Sequence, residues 1–244
     1  MTLDASAQRD LIEALRLLNE AKATEAAIIV TGVFERHPES VDAAHLLALC
    51  QKRLGNFSAA ITAFQSAQRL DPLNATIAGN LANLLSQMGD RQHSVDTYLR
   101  ALELNPDSPE LLLNLGLTLL EQGKSEEAVD AFTAAIKKNN AMAALWHGLG
   151  VALRMQGDLE QASAALERAI KLDPKNGKTW TALGVIARLR GNPSLALQCY
   201  EQARRAGFAA VELLDAEVVE AFSHPFAAIL TALVLFVGLR HFSK

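Results

Sequence analysis

A motif returns every 34 residues along this chain, six times, without an insertion or deletion. One column of small residues reads Ala14, Ala48, Ala82, Gly116, Gly150 and Gly184, and a second reads Ala26, Ala60, Ser94, Ala128, Ala162 and Ala196. A third reads Val33, Ala67, Ala101, Ala135, Ala169 and Ala203. Between the last two lies a bulkier column: Val30, Phe64, Tyr98, Phe132, Leu166 and Tyr200. A fixed period of this length excludes a single central core. Each copy must bury its apolar face against the next, so a stack of like units is expected.

Within a copy the apolar spacing is helical. Trp146, Leu149, Gly150 and Leu153 fall at i, i+3, i+4 and i+7, one face of a helix. Gly157 interrupts this pattern, and Ala162, Leu166 and Ala169 resume it, so each copy reads as two helices joined by a turn. The break recurs at Gly55, Gly89, Gly123 and Gly191, where glycine reaches backbone angles closed to other residues. Small residues let neighbouring helices approach, and the bulky column fills the space between them. Proline at Pro38, Pro72, Pro106 and Pro174 cannot continue the second helix, so the next copy starts afresh.

These residues, WxxLGxxL followed by the turn glycine, Ala, a Phe, Tyr or Leu, Ala and Pro, resemble the tetratricopeptide repeat (TPR) family over about residues 7–210. The resemblance implies an all-α fold: a right-handed superhelical solenoid of antiparallel helix pairs. Its repeats would occupy residues 7–40, 41–74, 75–108, 109–142, 143–176 and 177–210, after an N-terminal tail of residues 1–6. Four positions depart from the pattern. Glu13 replaces leucine, Ala21 replaces the turn glycine, and Asn140 and Phe208 replace the closing proline. Terminal repeats meet solvent on one face, which accounts for the departures at the ends. Asn140 is interior, so the junction of the fourth and fifth repeats is expected to bend differently.

The family turns the first helix of each pair towards a concave groove. Carried over column by column, this places Asn80, Asn83, Asn114, Leu117, His147, Val151, Arg154 and Arg188 where a partner would be held. His45, Leu49, Lys52, Ser86, Leu113, Thr181 and Val185 share those columns, and Gln87, Glu121 and Lys178 are further positions expected to face the groove. Asn80 and Asn114 are one period apart, resembling a short piece of the asparagine ladder in the repeat arm of O-linked N-acetylglucosamine transferase. Asparagine both donates and accepts, so such a pair grips a peptide backbone of any sequence. Asn83 and Asn114 also match the asparagines of the carboxylate clamp in chaperone-binding members. The three basic partners of that clamp fall at Gly79, Ala144 and Gly148, which argues against a clamp. The implied partner is a peptide or amphipathic helix with apolar anchors and some acidic residues.

Composition excludes other classes. A net charge of −4 with no basic run gives no case for nucleic acid. The six histidines fall in no HxxxH or HExxH pair, and no P-loop, GxSxG elbow or dinucleotide fingerprint occurs. No enzyme, cofactor or metal is expected. Cys50 and Cys199 lie in units that do not touch in a solenoid, so two buried thiols in reducing surroundings are expected rather than a disulfide. The first residues lack the basic and apolar regions of a signal peptide, so the repeats are expected in the cytoplasm.

Beyond the repeats the pattern changes. Residues 211–222 read as a capping helix, with Val211, Leu214 and Val218 towards the last repeat. Residues 223–244 form an apolar segment, uncharged across residues 225–239 and carrying Pro225, Phe226, Ile229, Leu230, Leu233, Phe236 and Leu239. Fifteen residues rise about 22 Å, short of a ~30 Å hydrocarbon core, but flanking Phe222, Phe242, Arg240 and Lys244 extend the span. The segment reads as a C-terminal membrane anchor, against the alternative that it docks on protein. The expected function is a membrane-tethered, non-enzymatic adaptor that holds a partner segment in its groove. The alternatives are a soluble repeat arm of a transferase-type enzyme and a chaperone-like holder of an apolar client. The sequence leaves the oligomeric state open.

Overall fold

The structure, a computed structural model, describes residues 3–207. Among the described residues there are twelve helices and no strand. The first helices of the pairs are α1 (Ala5–Asn19), α3 (Val41–Arg53), α5 (Ala75–Gln87), α7 (Pro109–Glu121), α9 (Ala143–Met155) and α11 (Gly177–Leu189). The second helices are α2 (Ala23–Arg36), α4 (Phe57–Leu70), α6 (Arg91–Leu104), α8 (Ser125–Lys138), α10 (Leu159–Leu172) and α12 (Pro193–Arg205). The chain is thus all-α, a TPR-type solenoid of helix pairs. The expected capping helix and apolar segment, including Pro225, Phe226, Ile229, Leu230, Leu233, Phe236 and Leu239, lie outside the described residues, as does Phe208.

Local chemistry sets the helix ends. Asp4, Ser40, Asn74, Ser108 and Asn176 each accept a bond from the first turn of a first helix, satisfying a donor that has no partner within the helix. The turn between paired helices is left-handed at Gly55, Gly89, Gly123, Gly157 and Gly191, with φ between 75° and 83°. Ala21 takes that place in the first pair at φ 62°, a backbone that a Cβ penalises. Thus the alanine preserves the turn that its register position requires.

Asn140 leaves the length of its loop and one of its hydrogen bonds unchanged. The loop from α8 to α9 has the same length as the loop from α10 to α11. Trp146 Nε1 donates to Asn140 O at 2.8 Å, and one period later Trp180 Nε1 donates to Pro174 O at 2.8 Å. A backbone carbonyl serves either residue. The loop thus keeps its length and its tryptophan bond without the proline.

The chain divides between Gln156 and Gly157 into two compact units. In the first, each helix from α1 to α9 packs on its neighbours in sequence, and α1 touches α3, α5 touches α7 and α7 touches α9. In the second, α10 packs on α11 and α11 on α12. Val30, Phe64, Tyr98, Phe132 and Leu166 of the bulky column are fully buried. Phe132 shows why the first small column is small: a Cβ on its Gly116 would lie 2.7 Å from the ring, and outside that column Gly148 leaves the same ring room, with a Cβ there 2.5 Å away. Truncating such a residue to alanine typically costs about 3–5 kcal/mol. Ser94 is buried in an otherwise alanine column because its hydroxyl finds Ala82 O at 2.8 Å. Glu13 sits half-buried on α1 and pairs with Arg16, which also meets Glu20. A charged residue replaces the leucine that the later repeats bury fully at Leu81, Leu115 and Leu183 and partly at Leu47 and Leu149.

A candidate peptide-binding cavity on the first helices

An open cavity of about 310 Å³ lies in the first unit, lined by α3, α5, α6 and α7. Lys52 comes from α3, and Asn83, Ser86 and Gln87 come from α5. Asn114, Leu117, Thr118 and Glu121 come from α7, and Tyr98 reaches in from α6. The first helices repeat at 34 residues, so side chains at like positions on α5 and α7 face the same space.

Its hydrogen bonds run inward. Tyr98 donates its hydroxyl to Asn83 Oδ1 at 2.6 Å. Burial raises the Tyr98 phenol far above its usual range, with Glu121 adding to the effect, so it stays protonated. Thr118 Oγ1 donates to Asn114 O at 2.9 Å and lies 3.1 Å from Ser86 Oγ. At the rim Arg91 pairs with Glu121 at 3.2 Å. Lys52 is half-buried, and burial lowers its pKa.

Of the residues expected to hold a partner, the cavity brings together Asn83, Asn114 and Leu117. Asn80, on the same helix as Asn83, instead meets His45 of α3 at 3.0 Å. Its amide nitrogen faces His45 Nε2, so the ring accepts there and is neutral. Burial lowers the His45 pKa, opposed by Asp42, and the ring lies 5.9 Å from Phe64. His147, Val151 and Arg154 sit half-buried on α9, with His147 and Arg154 already engaged by other groups. Arg188 is half-buried on α11 in the second unit, and its Nε is buried without an acceptor among the described residues.

Three neighbouring positions face packing instead of a groove. Gly79 lies under Leu111, whose Cδ2 is 2.6 Å from where a Cβ would be. Gly148 lies under Phe132, and Val185 is buried. The column reading also passed over two cavity residues, Tyr98 and Thr118. Tyr98 belongs to the packing column, yet a tyrosine in that column brings a hydroxyl that usually finds a partner when buried. Cys50 and Cys199 are both buried and free. Among the described residues no group of His, Cys, Asp and Glu could hold a metal, and no helix is long and apolar enough to cross a membrane.

Comparison with known proteins gives the class. The family model for the cilia and flagella-associated protein 70 C-terminal domain, a TPR model, matches residues 73–225, and a tetratricopeptide repeat model matches residues 4–75. The chain belongs to the tetratricopeptide repeat family. No curated protein matches it in sequence. Among solved structures it is similar to PilF of Pseudomonas aeruginosa, at 18% identity and TM-score 0.72, covering 82% of this chain and 90% of that one. It is also similar to MamA from Desulfovibrio magneticus RS-1, at 20% identity and TM-score 0.65, covering 68% and 94%. A third likeness is to YrrB, described as a TPR protein with an unusual peptide-binding site, at 19% identity and TM-score 0.61, covering 72% and 91%. At these identities the likeness is one of fold.

Proposed function

We propose that this chain is a non-enzymatic scaffold that holds a segment of a protein partner, an extended peptide or amphipathic helix, against the first helices of its repeats. The cavity on α3, α5 and α7 carries this reading, because it sets amide and charged groups beside an exposed Leu117 on successive repeats. Scaffolding between proteins is the general role of the family, and YrrB is described as binding peptide. Asn83, Asn114 and Leu117 are the central contacts, with Asn80, His147, Val151 and Arg154 on the same unit as flanking candidates. Arg188 is a candidate contact of the second unit. We read residues 223–244 as a tether to a membrane, with the repeats on the cytoplasmic side, because residues 225–239 carry no charge.

Two measurements test this. Partners crosslinked to the full-length protein and identified by mass spectrometry should fall at least about tenfold with Asn83→Ala and Asn114→Ala together, while helicity and melting temperature hold. Undiminished recovery rejects the cavity as the site. The full-length protein should sediment with membranes, and deletion of residues 223–244 should release it. An intact chain that stays soluble without detergent would sink the tether.

A further inference from the structure

We propose that the cavity on α3, α5 and α7 is a pocket for one acidic side chain. It takes an aspartate or glutamate from the interior of an extended partner segment, with Lys52 as counter-ion and the Asn83 and Asn114 amides as donors. This deepens the peptide-binding reading and rests on it.

The inventory of hydrogen-bonding groups selects the ligand. Tyr98 fixes the orientation of Asn83 by donating to its Oδ1, so the Nδ2 hydrogens are what this side chain has left to give. The Thr118 hydroxyl hydrogen goes to Asn114 O, so the hydrogen between Ser86 Oγ and Thr118 Oγ1 comes from Ser86. Both hydroxyl hydrogens are thus spent within the protein. Glu121, the acidic residue of the lining, is paired with Arg91. Lys52 has no ion-pair partner among the described residues, although it is half-buried. The cavity therefore holds an uncompensated cation and amide donors beside a carboxylate that is already paired. An oxyanion completes such a set.

The same facts choose an internal side chain over a chain end. The basic positions with which family members clamp a chain end are here Gly79, Ala144 and Gly148. Gly79 and Gly148 are packed beneath Leu111 and Phe132, leaving no room there for a ligand-facing side chain. The lysine here comes instead from the preceding repeat, on α3. Leu117, 41% exposed at the cavity, gives a neighbouring apolar residue of the segment its contact.

The test is selection of a random peptide library, displayed with no free carboxyl end, on the full-length protein. The expected result is an aspartate or glutamate fixed at one position of the enriched peptides. Synthetic forms of the best peptide should lose at least about tenfold in affinity when that residue becomes asparagine or glutamine. The loss should disappear in Lys52→Met, and Lys52→Glu should select lysine or arginine at the same position. Peptides enriched without an acidic position, or with one indifferent to Lys52→Met, overturn the pocket and leave peptide binding intact. Failure to enrich any peptide overturns both readings. Amidated and free-acid forms should bind alike, and a need for the free carboxylate overturns the internal side chain. Glutamine at Glu212, Asp215, Glu217 and Glu220 should leave affinity unchanged; a rise would make the protein's own segment the occupant.

Discussion

Tyr98 and Tyr200 stand three periods of 34 residues apart at one place in the repeat, yet their hydroxyls meet different surroundings. Tyr98, on α6 in the first unit, is fully buried and donates to Asn83 at 2.6 Å. Tyr200, on α12 in the second unit, has a buried hydroxyl with no hydrogen-bond partner among the described residues. Arg188 lies near enough to oppose the upward shift that burial imposes on the Tyr200 phenol, but without bonding geometry. In register with Asn83 the second unit has Val185, and in register with Ser86 it has Arg188. The aromatic column is the same in both. What differs is the facing first helix, which decides whether a phenol only fills space or also aims an amide at a cavity.

The largest effects should come from what the two regions share, the glycine beneath an aromatic ring. Gly148 meets Phe132 in the first unit, and Gly184 meets Tyr200 in the second, each with 2.5 Å from ring to the Cβ that is not there. Helix propensity alone predicts that alanine at either site stabilises by about 1 kcal/mol. Overpacking predicts the reverse, and we expect a net loss of roughly 1–3 kcal/mol for Gly148→Ala and Gly184→Ala in urea unfolding. A gain at Gly184 alone would show that the Tyr200 ring, partly exposed, can move aside where Phe132 cannot.

Removing each hydroxyl separates the two tyrosines directly. Tyr98→Phe should cost about 1 kcal/mol, the usual net worth of a hydrogen bond. It should also weaken any peptide held by Asn83, whose amide then loses its fixed orientation. Tyr200→Phe should be neutral or slightly stabilising, because its hydroxyl is buried without a partner. Equal losses at both sites, measured by thermal and urea unfolding, would erase the contrast.

The period made the helices legible, down to α3, α5, α7, α9 and α11 starting 34 residues apart. It could do so because small columns and turn glycines act through backbone proximity, which recurs with the register. The polar contacts do not recur with it. Asn80 and Asn114 hold the same column, yet Asn80 meets His45, for which the next repeat offers Gly79. The Tyr98 bond to Asn83 joins a packing column to a groove column, and no single column contains it. At Asn140 the loop uses the backbone carbonyl, which every residue has, so the missing proline leaves that bond in place. Glu13 was legible, because a leucine column turned acidic at the first repeat signals a face left to solvent.

The smallest effect should be a pH dependence confined to the first unit. His45 accepts from Asn80 through Nε2, so protonating the ring destroys that bond, and burial holds its folded pKa below the ordinary 6.5. A base whose pKa falls on folding binds fewer protons in the native state than in the unfolded one. Its contribution to stability is therefore present above the unfolded value and is lost as pH falls through 6.5 towards the folded value. Asp42 on the same helix pulls the other way, and Asn80 and the Phe64 ring, which face His45 from α5 and α4, are neutral. His93 shifts upward beside Asp90 and would stabilise at low pH, but it is solvent-exposed and common to both proteins in the comparison. The difference in stability between wild type and His45→Gln should accordingly shrink from pH 7.5 to pH 5. The described part of the second unit has no histidine and serves as the internal control. A difference that grows on acidification would mean that Asp42 outweighs burial and that the ring, when charged, donates to an Asn80 turned to present its oxygen.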